Sequence, residues 1–169
     1  MSNTTSSSDS SSLLVRDLQG DYRPASADEV LRAARRVLGQ RVRRGTALTS
    51  PRMVSDYLRI KLTALEHEVF AVLMLDAQHR VIEYQEMFRG TVTQTSVYPR
   101  EVVKESLARN AAAVIFAHNH PSGVAEPSQA DELLTRTLKQ ALSLVDVRVL
   151  DHFIVAGDDV MSFSERGLL

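Results

Sequence analysis

Ala117-His118-Asn119-His120-Pro121-Ser122-Gly123, followed by Pro127-Ser128-Gln129-Ala130-Asp131, is the stretch whose reading decides the fold. Apolar residues lead into it and an amphipathic segment, 131–144, leads out. If 112–117 is a buried strand, residues two apart point the same way. His118 and His120 then project together where that strand ends. Asp131 returns to them from the first turn of the next helix. Two imidazoles and a carboxylate form a ligand set that zinc accepts, with a fourth position left open. The same set suits non-haem ferrous iron. A blander reading competes: Ser-x-x-Asp ahead of an apolar helix is also a capping signature.

Working outward, helical and strand patterns alternate. Ser26 caps a helix over 27–38, with Val30, Leu31, Ala34, Val37 and Leu38 on one face and Gly39 as its stop. Ser50-Pro51 starts a second helix reaching about residue 64. The run 66–76 reads as a buried strand, turning at Asp76-Ala77-Gln78-His79 into a hairpin partner over 80–88. A helix over 99–110 follows, with Val102, Val103, Leu107 and Ala111 toward the core. The helix after Ser128 turns Leu133, Leu134, Leu138, Ala141, Leu142 and Leu144 inward. Strands over 147–156 and 160–163 close the chain. Helices alternating with strands around one hairpin predict an α/β protein, a three-layer sandwich over a mixed sheet.

The chain divides into a Ser/Thr-rich tail over 1–24, an Arg-rich helix and linker over 25–46, and a domain over 47–169. Residues 1–12 have nothing to bury and read as disordered. Residues 13–24 read as an irregular lead-in. Arg32, Arg35, Arg36, Arg41, Arg43 and Arg44 form the basic cluster of a chain whose net charge is only −1. Such a run is most simply a solvated face, and otherwise a patch for nucleic acid or an acidic partner.

Composition narrows the class. The 169 residues are 44% hydrophobic and 24% charged, with room for one real core. There is no cysteine, which excludes disulfides and thiolate ligands. No secretory signal and no membrane-length apolar run are present, so the expected compartment is the cytoplasm.

A hydrolytic metal site needs a carboxylate to move protons and a donor for the developing oxyanion. Glu68 and Glu66 lie on one face at the mouth of the most apolar strand. Either they are solvated at its edge or they are placed there for use. Ser128 and Ser122 are donor candidates, each otherwise a turn or cap residue. His152, after Asp151, reads first as a core residue or as that acid's partner, and second as a group orienting a ligand. His67 and His79 read as surface or turn residues. Arg100 and Glu101 read as a helix-start pair.

His118, His120, Ser128 and Asp131 together write the JAMM (MPN-type) metalloprotease pattern. The longer text resembles the bacterial RadC-like subfamily. It does so through residues 70–76, Gly90-Thr91-Val92, Pro99-Arg100-Glu101, the His-rich loop, Leu150-Asp151-His152 and Ser162-Phe163, over roughly 50–169. The resemblance implies a JAMM/MPN-like (cytidine-deaminase-like) fold with one zinc. His118, His120 and Asp131 map onto its ligands, Glu68 onto the general acid/base with Glu66 as the fallback, and Ser128 onto the residue polarising the scissile carbonyl. The implied reaction is attack of zinc-activated water on a peptide or isopeptide bond of a peptide or protein substrate. Longer relatives carry a helix-hairpin-helix segment that binds DNA backbone. No matching Gly-rich hairpin pair stands here, which weakens a DNA role. The alternatives are a DNA-associated accessory protein (repair or mobile-element) with a structural or vestigial metal site, and a nuclease or phosphodiesterase using the same centre. The HNH nuclease class is a different arrangement, spread over a longer hairpin-and-helix unit.

Overall fold

Two strands are buried along their whole length, and they set the architecture. The structure, a computed structural model, describes residues 13–17, 19–41, 45–48, 50–90 and 96–169. The Ser/Thr tract over 1–12, Arg43, Arg44 and residues 91–95 lie outside the described residues, as do the side chains of 38–41. The elements run β1 (Leu14–Arg16), β2 (Tyr22–Pro24), α1 (Ala27–Arg41), α2 (Pro51–Leu62), β3 (Val69–Leu75), β4 (Val81–Arg89), α3 (Pro99–Ala108), β5 (Ala113–Asn119), α4 (Gln129–Ser143), β6 (Arg148–Ala156) and β7 (Asp159–Ser162).

The main sheet has five strands in the order β4-β3-β5-β6-β7. Only β5 and β6 are parallel, so the sheet is mixed. Every residue of β3 and β5 is buried. These strands therefore lack polar alternation: both faces are covered, so both must be apolar. Val69, Leu73, Ala113, Ile115 and Ala117 pack against Tyr57, Leu58 and Leu62 of α2. Phe70, Val72, Met74, Val114 and Phe116 pack on the other side against Val102 of α3 and Leu138 and Leu142 of α4. This is the expected three-layer α/β arrangement.

Four local expectations are corrected. The lead-in over 13–24 contains a small antiparallel ladder, β1 with β2. Gly39 does not stop α1, which continues to Arg41; a helix-interior glycine costs only about 1 kcal/mol and ends a helix only where the chain turns away. Leu31 and Val37 of α1 are exposed. On α3 and α4, Leu107, Leu133 and Leu144 face solvent. The buried ridge of α4 is Thr135, Leu138 and Leu142. Those positions are three and four apart, and Leu133 lies well around the helix from them. Asp131, four residues before Thr135, heads the same ridge, which aims it at the sheet.

Candidate metal centre

The pairing of β3 with β5 sets Phe70 opposite His118 and leaves His118 on the sheet face covered by α4. His118 is 2% exposed. His120 lies just past the strand, held by its N–H to the Val155 carbonyl at 2.8 Å. A turn follows at Pro121–Gly123, where Gly123 takes a φ of +79° that few other residues adopt readily. It closes with the Gly123 N–H on the His120 carbonyl at 3.1 Å.

Asp131 comes back from α4, as the spacing predicted. His118 Nε2 is 3.0 Å from His120 Nε2 and 3.4 Å from Asp131 Oδ1, and His120 Nε2 is 3.6 Å from Asp131 Oδ2. Tetrahedral zinc with bonds of about 2.0 Å would separate its ligand atoms by roughly 3.3 Å. The two distances from His118 Nε2, 3.0 and 3.4 Å, bracket that value, and the 3.6 Å contact from His120 is to the second Asp131 oxygen. These are the groups among the described residues that could hold a metal ion.

Capping and ligand geometry coexist in Asp131. Ser128 caps α4: its hydroxyl accepts from the Asp131 N–H at 3.1 Å, and its own N–H donates to Asp131 Oδ2 at 2.7 Å. The Ser128 hydroxyl also donates to Oδ2 at 2.6 Å. Oδ1 faces His118, and Oδ2 lies 3.6 Å from His120 Nε2.

The electrostatics suit a cation. His120 Nδ1 lies 2.9 Å from the Val124 carbonyl, which can only accept, so Nδ1 carries a proton and the neutral ring turns a bare Nε2 toward His118 and Asp131. Hydrogen bonding to Asp131 raises the His120 pKa against the effect of burial, and the charge of Glu68 adds to the rise. Burial lowers His118 to about 4 despite the opposing charge of Asp131. Burial alone would raise Asp131, but its hydrogen bond to His120, the charge of His118 and the bonds from Ser128 hold it well below the usual carboxylate range. Nitrogen and oxygen lone pairs thus converge on one point, where a proton or a metal ion belongs.

Of the two acids, Glu68 is half-buried and acts on His120, whereas Glu66 is exposed. Ser122 is exposed in the turn after His120. His67 contacts Arg89 at 3.1 Å, and Glu101 pairs with Lys104 at 2.7 Å.

Three contributors escaped the sequence reading in whole or in part. Asn119 projects to the α2 side of the sheet. Its Oδ1 accepts from the Val69 N–H at 2.8 Å, and its Nδ2 donates to the carbonyls of Leu65 and His67 at 3.3 and 3.0 Å. It therefore clamps the segment that carries Glu68. His152 is fully buried, as its first sequence reading has it, and its Nε2 lies 2.8 Å from His118 Nδ1, within reach of the orienting contact of the second. Asp151 accepts from the His152 backbone N–H at 2.7 Å, and also from the Ser162 hydroxyl and the Ser164 N–H. Thr135 touches His152 Nδ1 at 2.7 Å. The only sequence signal for Thr135 was its spacing of four from Asp131.

Two open clefts lie alongside. One of about 250 Å³ is lined by Leu65, His67, Val69 and residues 86–89. The other, about 470 Å³, lies between residues 123–126 and the C-terminal stretch from Asp159 to Arg166.

A mixed sheet between helices, with His-x-His at the end of its central strand and an acid on the following helix, defines a JAB-type, MPN-like domain. The chain belongs to the RadC-like JAB domain family, which matches residues 48–168. It is 61% identical over 150 residues to a UPF0758 protein of Leptothrix cholodnii, covering 89% of this chain and 68% of that one. A UPF0758 protein of Nitrosomonas eutropha is 57% identical, with coverage of 89% and 67%. One from Aromatoleum aromaticum is 63% identical over 146 residues, with coverage of 86% and 65%. The chain thus spans about two thirds of the length of these curated relatives.

Proposed function

We propose that this chain is a zinc-dependent hydrolase of the JAMM type that cuts a peptide or isopeptide bond in a peptide or protein substrate. His118, His120 and Asp131 hold the zinc, Glu68 is the general acid/base, and Ser128 assists at the carbonyl. The observation that carries this reading is the approach of His118 Nε2, His120 Nε2 and the Asp131 carboxylate to one another at 3.0, 3.4 and 3.6 Å. When bound, zinc lowers the pKa of a water molecule toward neutrality and polarises a carbonyl. Glu68 takes the proton that the attacking water loses and returns it to the leaving nitrogen. The Ser128 hydroxyl steadies the oxyanion after turning from Asp131 Oδ2, while the Ser128 N–H keeps the carboxylate in place. The domain works in the cytoplasm; among the described residues, no helix is long and apolar enough to cross a membrane.

The test is metal analysis of protein purified under zinc-replete conditions, followed by peptide and isopeptide cleavage with and without a chelator. One zinc per chain and chelator-sensitive cleavage are expected. No bound metal, or iron in preference to zinc, overturns the reading.

A second reading rests on Arg32, Arg35 and Arg36, all exposed on α1. It makes the chain a DNA-associated accessory protein whose metal site is structural or vestigial. It requires salt-dependent DNA binding that weakens when these arginines are neutralised. Binding unchanged by those substitutions removes it. A nuclease or phosphodiesterase requires plasmid nicking that His118→Ala abolishes.

A further inference from the structure

The hydrogen bonds behind His118 run in one direction, and that direction can be read from the end that has no choice. The Thr135 hydroxyl lies 2.6 Å from the Asp131 carbonyl oxygen, one helical turn back. A carbonyl only accepts, so the single hydroxyl proton of Thr135 is spent there. The hydroxyl is also 2.7 Å from His152 Nδ1 and must accept in that contact, so His152 carries its proton on Nδ1. The ring is enclosed by Phe70, Phe116 and Phe163 with 0% exposure, where a second ring proton would bury an uncompensated charge, so His152 Nε2 is a bare acceptor. His118 Nδ1, 2.8 Å away, must then donate to it. A neutral His118 protonated on Nδ1 has a bare Nε2, the atom that faces His120 and Asp131.

The His152 ring cannot easily turn out of this role. It stacks on Phe163 at 4.7 Å with a 21° tilt, and the rings of Phe70 and Phe116 meet it edge-on at 5.7 and 5.8 Å. Its exposure is 0%. A buried polar ring ordinarily needs both nitrogens satisfied, and here the two partners are a helix hydroxyl and a candidate ligand.

We infer that Thr135 and His152 are positioning residues forming a one-way relay, from His118 Nδ1–H through His152 to the Asp131 carbonyl, that sets the His118 tautomer and presents its Nε2 to the metal. The relay closes on the backbone of Asp131, so it also ties two of the three ligands together. This inference rests on the proposed metal site for its purpose, but not for its chemistry. The tautomer exists in the metal-free protein and is measurable there.

The experiment uses the full chain at pH 7.5. Long-range proton–nitrogen NMR of the metal-free protein assigns the ring protons, and chelator competition measures zinc affinity. Both are run on wild type, Thr135→Val and Thr135→Ser, with near-UV circular dichroism to establish that each is folded. The wild type is expected to show His118 and His152 protonated on Nδ1. Thr135→Val is expected to disturb both tautomers and weaken zinc binding about 10- to 100-fold, the usual effect of losing a ligand's orienting partner. Thr135→Ser keeps the hydroxyl and restores both readouts. A His118 ring protonated on Nε2 in the metal-free wild type overturns the relay. So does a folded Thr135→Val protein with wild-type tautomers and zinc affinity. If the wild type binds no zinc, the metal reading falls while the ring spectra still decide the relay.

Discussion

The two histidines of the His-x-His step stand only one residue apart, yet they occupy opposite environments. His118 is walled in by Phe70, His152 and the α4 ridge, and burial keeps it neutral. His120 is half-buried, pulled toward the protonated state by Asp131 and Glu68, and leans on a loop carbonyl. One side of the centre is dry and fixed; the other is partly open and feels the charge of the acid. Under the proposed reaction, such a division would keep geometry and proton traffic apart, with the fixed ligand on the sheet and the groups that exchange protons nearer water.

The largest expected break in that contrast is on the wet side. Glu68→Gln should lower hydrolysis by about 10²- to 10⁴-fold, the usual range for a general base, while zinc affinity stays within about threefold of wild type. Cleavage assays paired with chelator competition test this, and zinc lost along with activity would make Glu68 a structural residue. On the dry side, pH is the probe. His118 titrates near 4 in the fold and about 6.5 unfolded. The unfolded chain therefore takes up that proton first as pH falls, and stability declines between pH 6.5 and 4. His118 contributes about 3 kcal/mol of that loss in the metal-free protein, and His152, lowered by the same burial, adds to it. Denaturant titrations at pH 7.5, 5.5 and 4 measure it, and a flat profile contradicts the burial argument for His118.

Asn119 sits between the two sides. Asn119→Ala orphans the Val69 N–H and frees the Glu68 segment, at about 1–3 kcal/mol of stability. Cleavage should fall with little change in zinc affinity, whereas equal loss of both would place Asn119 with the ligands. The smallest effect is expected at the exposed Arg166–Glu126 pair, which ties the His-rich loop to the C-terminal turn through contacts of 2.5 and 3.0 Å. Arg166→Ala should change stability by less than about 1 kcal/mol, as exposed pairs generally do. A larger drop in thermal melting would show that the loop needs its tether.

The sheet, the order of its elements and the His/His/Asp grouping were legible because each depends on short-range rules. A strand buried on both faces must be a continuous apolar run. Residues two apart in a strand share a face, and an acid at the third position of a capped helix points back toward the helix start. Periodicity was less informative where a leucine could go either way. Leu133 and Leu144 satisfy a helical pattern, yet the sheet lies on the side of Thr135, Leu138 and Leu142. The β1–β2 ladder was missed because three-residue strands carry almost no pattern.

By itself, then, the sequence determined the layers and which side chains gather at the end of β5. Only the tertiary structure decided what stands behind them. Asn119 reaches across to the backbone of Leu65, His67 and Val69, some fifty residues earlier in the chain, and His152 arrives thirty-four residues after His118 because β6 lies parallel to β5. Hydrogen bonds of that span depend on register between strands. Local propensity carries no information about register, so the partners that orient the site become visible only once the sheet is assembled.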